Sequence, residues 1–113
     1  MINKNEKRIR LKAKIRSKIK GTSDRPRLSV FRSNKFIYAQ IIDDVANKTL
    51  AQASDVKVKK GAKTERAKEV GKMIAEAALI KKISKVVFDR NGFKYTGRIK
   101  LVADEARASG LKF

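Results

Sequence analysis

The sequence predicts one small α/β domain with a mixed β-sheet, preceded by a basic N-terminal arm. Three observations predict this fold class. Residues 25–40, RPRLSVFRSNKFIYAQ, alternate in hydrophobicity like two strands around a tight turn. Residues 64–82 carry apolar side chains at helical spacing. The short apolar run KVVFD follows at 85–89, where a crossover helix would deliver a parallel strand.

The length of the chain limits the number of domains. With 113 residues it can form one domain with one modest core. We expect residues 1–24 to form the arm and a linker, and residues 25–113 to form the domain. Residues 21–25 (GTSDR) have the composition of a linker, and Pro26 suits the first residue of a strand.

The predicted hairpin has two unlike faces. Leu28 and Val30, together with the aliphatic residues at 37, 39 and 41, form a core face. The opposite face carries Arg27, Ser29, Phe31, Phe36, Tyr38 and Gln40. Rings on a basic sheet face can stack on unpaired bases, as they do in RNA-binding sheets. They could equally be core beneath a covering helix, because a sheet can be covered on both faces. The spacing leaves both interpretations open.

A third strand and a long helix follow the hairpin. After a turn at 46–48, the third strand is predicted at 49–53. Thr64 is the expected N-cap of the helix, which ends near Lys82. Gly71 lies beside the apolar stripe, so we expect it to permit close approach of the helix to the sheet.

The C-terminal part is predicted to add a strand and a helix. The run at 85–89 is the buried strand, and Asn91-Gly92 then predicts a turn. Residues 93–98 are expected to form a loop, and residues 99–109 a last helix with Gly110 just past its end.

The charge of the chain indicates a polyanionic partner. It has 30 Lys and Arg against 11 Asp and Glu, a formal net charge of +19, and such self-repulsion destabilises a compact monomer. Nucleic acid fits better than a membrane, because there is no apolar run of spanning length, no signal peptide and no lipidation motif. We therefore expect a cytoplasmic protein that is monomeric when free.

The missing residue types narrow the possible chemistry. The chain has no Cys and no His, which removes thiol nucleophiles, thiolate metal sites and the commonest general base. Its glycines form no phosphate-binding fingerprint. Asp43, Asp44 and Asp89 fall at predicted strand ends, where converging acids could hold divalent ions for phosphodiester cleavage. They could also end strands and pair with neighbouring cations, which we favour. We predict no enzyme, no metal and no cofactor.

The N-terminal segment alternates basic and aliphatic residues from position 4 to position 20. We interpret it as an arm that is frayed when free and becomes helical when its charges are neutralised. A solvated surface helix of the folded domain is the alternative. Its candidate RNA contacts are Lys7, Arg8, Arg10, Lys12, Lys14, Arg16, Lys18 and Lys20.

Further candidate RNA contacts lie within the domain. Lysines and arginines can neutralise phosphates, which gives affinity without sequence information. The hairpin turn mixes donors and acceptors, so it could also contact bases or sugar hydroxyls. The candidates are Arg25, Arg27, Arg32, Ser33, Asn34, Lys35, Tyr38, Gln40, Lys57, Lys60, Lys63, Arg90, Tyr95 and Arg98.

Three segments together resemble the bacterial large-subunit ribosomal protein L18 family. They are RPRLSVFRSNKFIYAQIIDD, AKEVGKMIAEAALIKKI and VVFDRNGFKYTGRIKLVADEARASGLKF. The likeness runs from Lys7 to Phe113 and departs slightly at Ala108 and Ser109, where the family pattern has Glu and Ala.

The resemblance implies a structural protein that binds 5S rRNA and helps attach it to the central protuberance of the large subunit. It also implies contacts with 23S rRNA and neighbouring ribosomal proteins, and a ribonuclease-H-like motif without an active site. RNA contact through the arm and the sheet-side surface follows from it, while the loop with Arg90, Tyr95 and Arg98 could serve packing instead. A general nucleic-acid chaperone that binds by charge alone is the alternative.

Overall fold

We describe the fold from a computed structural model, which covers residues 4–16, 21–22, 24–56, 58 and 61–113, without the side chains at 4, 15 and 16. The elements in chain order are α1 (Lys4–Arg16), β1 (Arg27–Arg32), β2 (Ile37–Asp43), β3 (Lys48–Ser54), α2 (Lys63–Ile80), β4 (Val87–Asp89) and α3 (Gly97–Ala108).

The strands form one mixed sheet in the order β3-β2-β1-β4. β1 is antiparallel to β2, and β2 is antiparallel to β3. β4 lies parallel to β1, with Leu28 opposite Phe88. The predicted α/β domain with an antiparallel meander, a crossover helix and a parallel strand is therefore confirmed.

Several predicted boundaries shift. The buried strand is shorter than expected, and Lys85 forms only an isolated bridge with Lys112. Thr64 is not the N-cap of α2, because the helix already begins at Lys63 and extended Ala62 precedes it without a side-chain cap bond. α3 begins at Gly97, ahead of the predicted start at position 99.

The hydrophobic core lies on one face of the sheet. Leu28, Val30 and Ile41 from the strands are fully buried there against α2 and α3. The helices approach each other closely at Gly71, where an added Cβ would lie 2.5 Å from the Val102 carbonyl oxygen. The close approach predicted for Gly71 exists, but its partner is α3 and not the sheet.

The segment at residues 4–16 is a helix on the surface of the domain. This helix contacts the loop after β4, where Arg8 donates to the Asn91 carbonyl, and fraying of the arm in the absence of RNA stays a prediction. Basic residues occur on all sides of α1, so its apolar face is narrow, with half-buried Leu11 part of it. None of the described helices has both the length and the apolar character needed to cross a membrane.

Candidate nucleic-acid interface

The sheet face opposite the core is polar, and a buried ion-pair network holds one end of it. Strand alternation places Arg27 and Asp89 on this face of the neighbouring strands β1 and β4. The Arg27 guanidinium donates to Asp89 Oδ2 at 2.8 Å and to both carboxylate oxygens of Asp44 at 3.1 Å. Asp44 also accepts the Gly21 backbone N–H at 2.7 Å. The network therefore connects the start of β1, the end of β2, β4 and the chain that enters the domain.

This network corrects one predicted RNA contact. Burial lowers the pKa of the Arg27 guanidinium, but hydrogen bonds and charge from Asp44 and Asp89 outweigh it, so the pKa is raised above its usual value. Because Arg27 is buried and its donors point at two carboxylates, we exclude it from the interface.

The acidic residues hold protein groups in place. Asp44 and Asp89 converge on the Arg27 guanidinium. Asp43 caps the β2–β3 turn by accepting the N–H groups of Val45 and Ala46. Within the described ranges, no three acidic, His or Cys residues come together as a possible metal site. These contacts are the strand-ending and pairing roles that the sequence favoured over metal binding.

The middle of the polar face is open, because both α2 and α3 pack on the other side. Gln40 on β2 lies directly opposite Gln52 on β3, and both side chains are exposed. Neither amide makes a hydrogen bond to another described residue. Tyr38 lies next along β2, half-buried, with its ring 6.2 Å from that of Phe31. A cavity of about 650 Å³ has Tyr38, Gln40 and Gln52 among its lining residues, but Ala39 of the core face and Met73 of α2 also line it, so it is not confined to the open face. Rings beside free amides can contact unpaired bases.

The hairpin tip is held by three cations on its backbone. Arg98 donates to the Ser33 carbonyl at 3.1 Å, Lys63 to the Asn34 carbonyl at 2.7 Å, and Arg66 to the Lys35 carbonyl at 3.5 Å. The side chains of Asn34 and Lys35 remain exposed. The tip is thus a positioned set of donors and acceptors at one end of the open face.

The loop after β4 contacts α1. Arg8 donates to the Asn91 carbonyl at 3.1 Å, and its guanidinium carbon lies 4.8 Å from the Phe93 ring centroid. Asn91 is itself fixed, because its side-chain amide donates to Ser29 Oγ at 2.6 Å and to the Val30 carbonyl at 2.9 Å. The helix is therefore anchored on a loop that the sheet positions.

The predicted contact residues separate into groups. Tyr95 packs against Phe88 and accepts a hydrogen bond from Arg107, which is the packing role that the sequence left open for this loop. Arg90 is half-buried, and Arg25 is exposed. Lys18, Lys20, Lys57 and Lys60 lie outside the described residues, as does the side chain of Arg16. The cations of α1 on described side chains are Lys7, Arg8, Arg10, Lys12 and Lys14.

Sequence reasoning missed three residues of this surface. Gln52 was not selected, although alternation from a known register would place it beside Gln40. Phe93 is predicted only as a loop residue, and Lys94 belongs to the basic cluster predicted at 90–100 without being chosen as an individual contact. No sequence signal indicates that α1 packs against them.

These features define a small basic α/β domain with one packed and one open sheet face. The model of the family described as ribosomal L18 of archaea, bacteria, mitochondria and chloroplasts matches residues 2–113. The chain is also 58% identical over 113 residues to the large ribosomal subunit protein uL18 of Streptococcus thermophilus, an alignment that covers 98% of this chain and 96% of that protein.

The chain therefore belongs to the ribosomal L18 family. It is a structural, non-enzymatic constituent of the large ribosomal subunit and a component of the cytoplasmic translation machinery. The recognition made from the quoted motifs is confirmed.

Proposed function

We propose that the chain binds 5S rRNA and helps attach it to the central protuberance of the large subunit, with 23S rRNA and neighbouring proteins as further contacts. The observation that carries the proposal is the open sheet face, on which Tyr38, Gln40 and Gln52 are presented without a covering helix. The choice of 5S rRNA rests on the resemblance of the motifs to the L18 family.

The proposed mechanism combines two kinds of contact. The open face and the hairpin tip supply rings, amides and backbone-fixed donors, which can recognise folded or unpaired RNA. The net charge of +19 supplies phosphate contacts that add affinity for any RNA. Specificity therefore comes from the face, and most of the salt dependence comes from the cations.

The first test is a binding titration of the chain against 5S rRNA and against a transfer RNA at several salt concentrations. We expect 5S rRNA to bind roughly a thousandfold more tightly, an advantage that persists as salt rises, by analogy with specific DNA sites. If both RNAs bind alike and weaken together with salt, the chain is a general chaperone that binds by charge.

A second test separates the face from the charge. Tyr38→Ala and Gln40→Ala leave the net charge unchanged, and so does the control Ser84→Ala at an exposed position beyond α2. We expect Tyr38→Ala to weaken 5S rRNA binding by roughly tenfold with an unchanged salt slope, since stacking on one base contributes about 1–3 kcal/mol. Gln40→Ala should weaken binding roughly two- to tenfold, since a hydrogen bond contributes about 0.5–1.5 kcal/mol. Face variants that bind like the control would contradict the assignment of this surface.

A further inference from the structure

A cationic cleft lies between α1 and the loop that follows β4. Its volume is about 530 Å³. Lys7 and Arg8 line it from α1, Arg32 from the end of β1 and Lys94 from the loop, with Leu11 and Phe93 as its apolar wall. No carboxylate is among its described lining residues. The cleft is formed by segments far apart in sequence.

Two positive charges converge inside this cleft. The guanidinium carbons of Arg8 and Arg32 lie 4.8 Å and 5.3 Å from the centroid of the same Phe93 ring. Neither arginine makes an ion pair with a described residue. Cation–π attraction to the ring offsets part of the free-energy cost of holding each guanidinium in the cleft. The two positive charges still repel each other. An anion bound in the cleft would remove that repulsion.

The cleft exists only while α1 is docked. Gly92 has a positive φ of 76°, and a Cβ there would lie 2.3 Å from the Arg8 carbonyl oxygen and 3.0 Å from the Lys12 backbone nitrogen. The backbone of α1 thus passes directly over this glycine. Without that approach, Lys7 and Arg8 would separate from Arg32 and Lys94.

We propose that this cleft binds successive backbone phosphates of an RNA strand. A nucleic-acid strand carries one negative charge on every nucleotide, about one per 3.4 Å of helix axis in B-DNA, so a short segment can meet several cations at once. Arginine forks and lysine ammonium groups both bind phosphate oxygens. The docked α1 therefore forms one wall of a phosphate clamp. Its position on the loop after β4 brings the cations of the clamp together. This inference rests on the proposed function only in taking RNA as the ligand.

A substitution without any change of charge tests the clamp. Gly92→Ala forces α1 off the loop. The matched control is Gly97→Ala, which also has a positive φ, 56°, but whose added Cβ meets nothing within 4 Å. We expect Gly92→Ala to weaken binding of 5S rRNA roughly tenfold at 0.15 M salt and to lower the salt slope by about 2, while Gly97→Ala keeps the slope of the original chain. Equal binding by the two variants would overturn the proposal.

Variants of the cleft wall keep the test decisive if Gly92→Ala does not fold. The pair Arg32→Gln with Lys94→Gln removes two cleft charges, and the pair Lys68→Gln with Lys72→Gln removes two exposed charges from α2. We expect a larger loss of affinity from the cleft pair, by roughly tenfold. Equal losses would show that only net charge matters and would refute the clamp.

The design also separates this inference from the proposed function. A failure of the proposed function appears as equal affinity of the original chain for 5S rRNA and transfer RNA. A failure of the clamp appears as equal affinity and equal salt slope of the cleft variants and their controls for 5S rRNA. Phosphate-ethylation interference on 5S rRNA adds a direct readout: we expect a short run of phosphates that inhibits the original chain when ethylated but no longer affects Gly92→Ala.

Discussion

Replacing Arg27 by methionine should destabilise the domain strongly. Methionine preserves an unbranched side chain but removes the hydrogen bonds of 2.8–3.1 Å to Asp44 and Asp89. The Asp89 side chain has no solvent exposure, so its carboxylate would stay buried after losing the ion pair with Arg27. Asp44 is 16% exposed and could recover part of its hydration.

The contacts that remain determine the size of the effect. Removing one partner of a buried ion pair costs about 3–5 kcal/mol. After the change, Asp89 still accepts the Asn91 backbone N–H, and Asp44 still accepts that of Gly21. We therefore expect a loss of about 3 kcal/mol in the free energy of unfolding. Natural domains have roughly 5–15 kcal/mol in total, so the variant should remain folded but much closer to its unfolding transition.

Urea denaturation followed by circular dichroism measures this loss. The control is Arg25→Met, which removes the same charge from an exposed position two residues away and should change stability by less than about 0.5 kcal/mol. Adding Asp89→Asn to Arg27→Met should recover at least about 1 kcal/mol, because a neutral amide then replaces the buried carboxylate that has lost Arg27. A variant as stable as the control, or strictly additive effects of the two changes, would refute the reasoning.

Three other changes have expected outcomes. Gly71→Ala should lower the urea midpoint through a loss of about 1–3 kcal/mol, because its Cβ would lie 2.5 Å from the Val102 carbonyl oxygen, although alanine elsewhere in a helix gains roughly 1 kcal/mol over glycine; a stabilised variant would disprove the close packing. Asp55→Ala should cost about 1–3 kcal/mol in the same assay, since buried Asp55 accepts the Ile37 N–H at 2.9 Å, and Asp55→Asn should cost less. Arg98→Met should speed amide hydrogen exchange at residues 33–36 by releasing the Ser33 carbonyl, with little change in global stability; unaltered exchange would contradict the role of that contact.

The sequence alone determined the fold class and the family. Alternation in residues 25–40 can be recognised in the sequence because neighbouring strand residues face opposite sides of a sheet. The helical spacing in α2 can be recognised for the same reason, since it also depends only on nearby residues. The charge balance is a property of composition, so a polyanionic partner also needed no structure. The sequence predicts boundaries less well: Thr64 has the chemistry of an N-cap, but the helix begins one residue earlier, at Lys63, after extended Ala62.

Only the tertiary structure decided how the polar face is used. Arg27 and Tyr38 share that face by alternation, yet one is enclosed by acids and the other borders open surface. The difference depends on which strand lies beside each residue. Arg27 meets Asp89 because β4 returns parallel to β1 after a long crossover. The sequence predicts a parallel strand there, but local pattern does not say which strand it pairs with or in which register. The cleft at Phe93 likewise requires α1 to pack against a loop more than 80 residues away, which no spacing in the chain records.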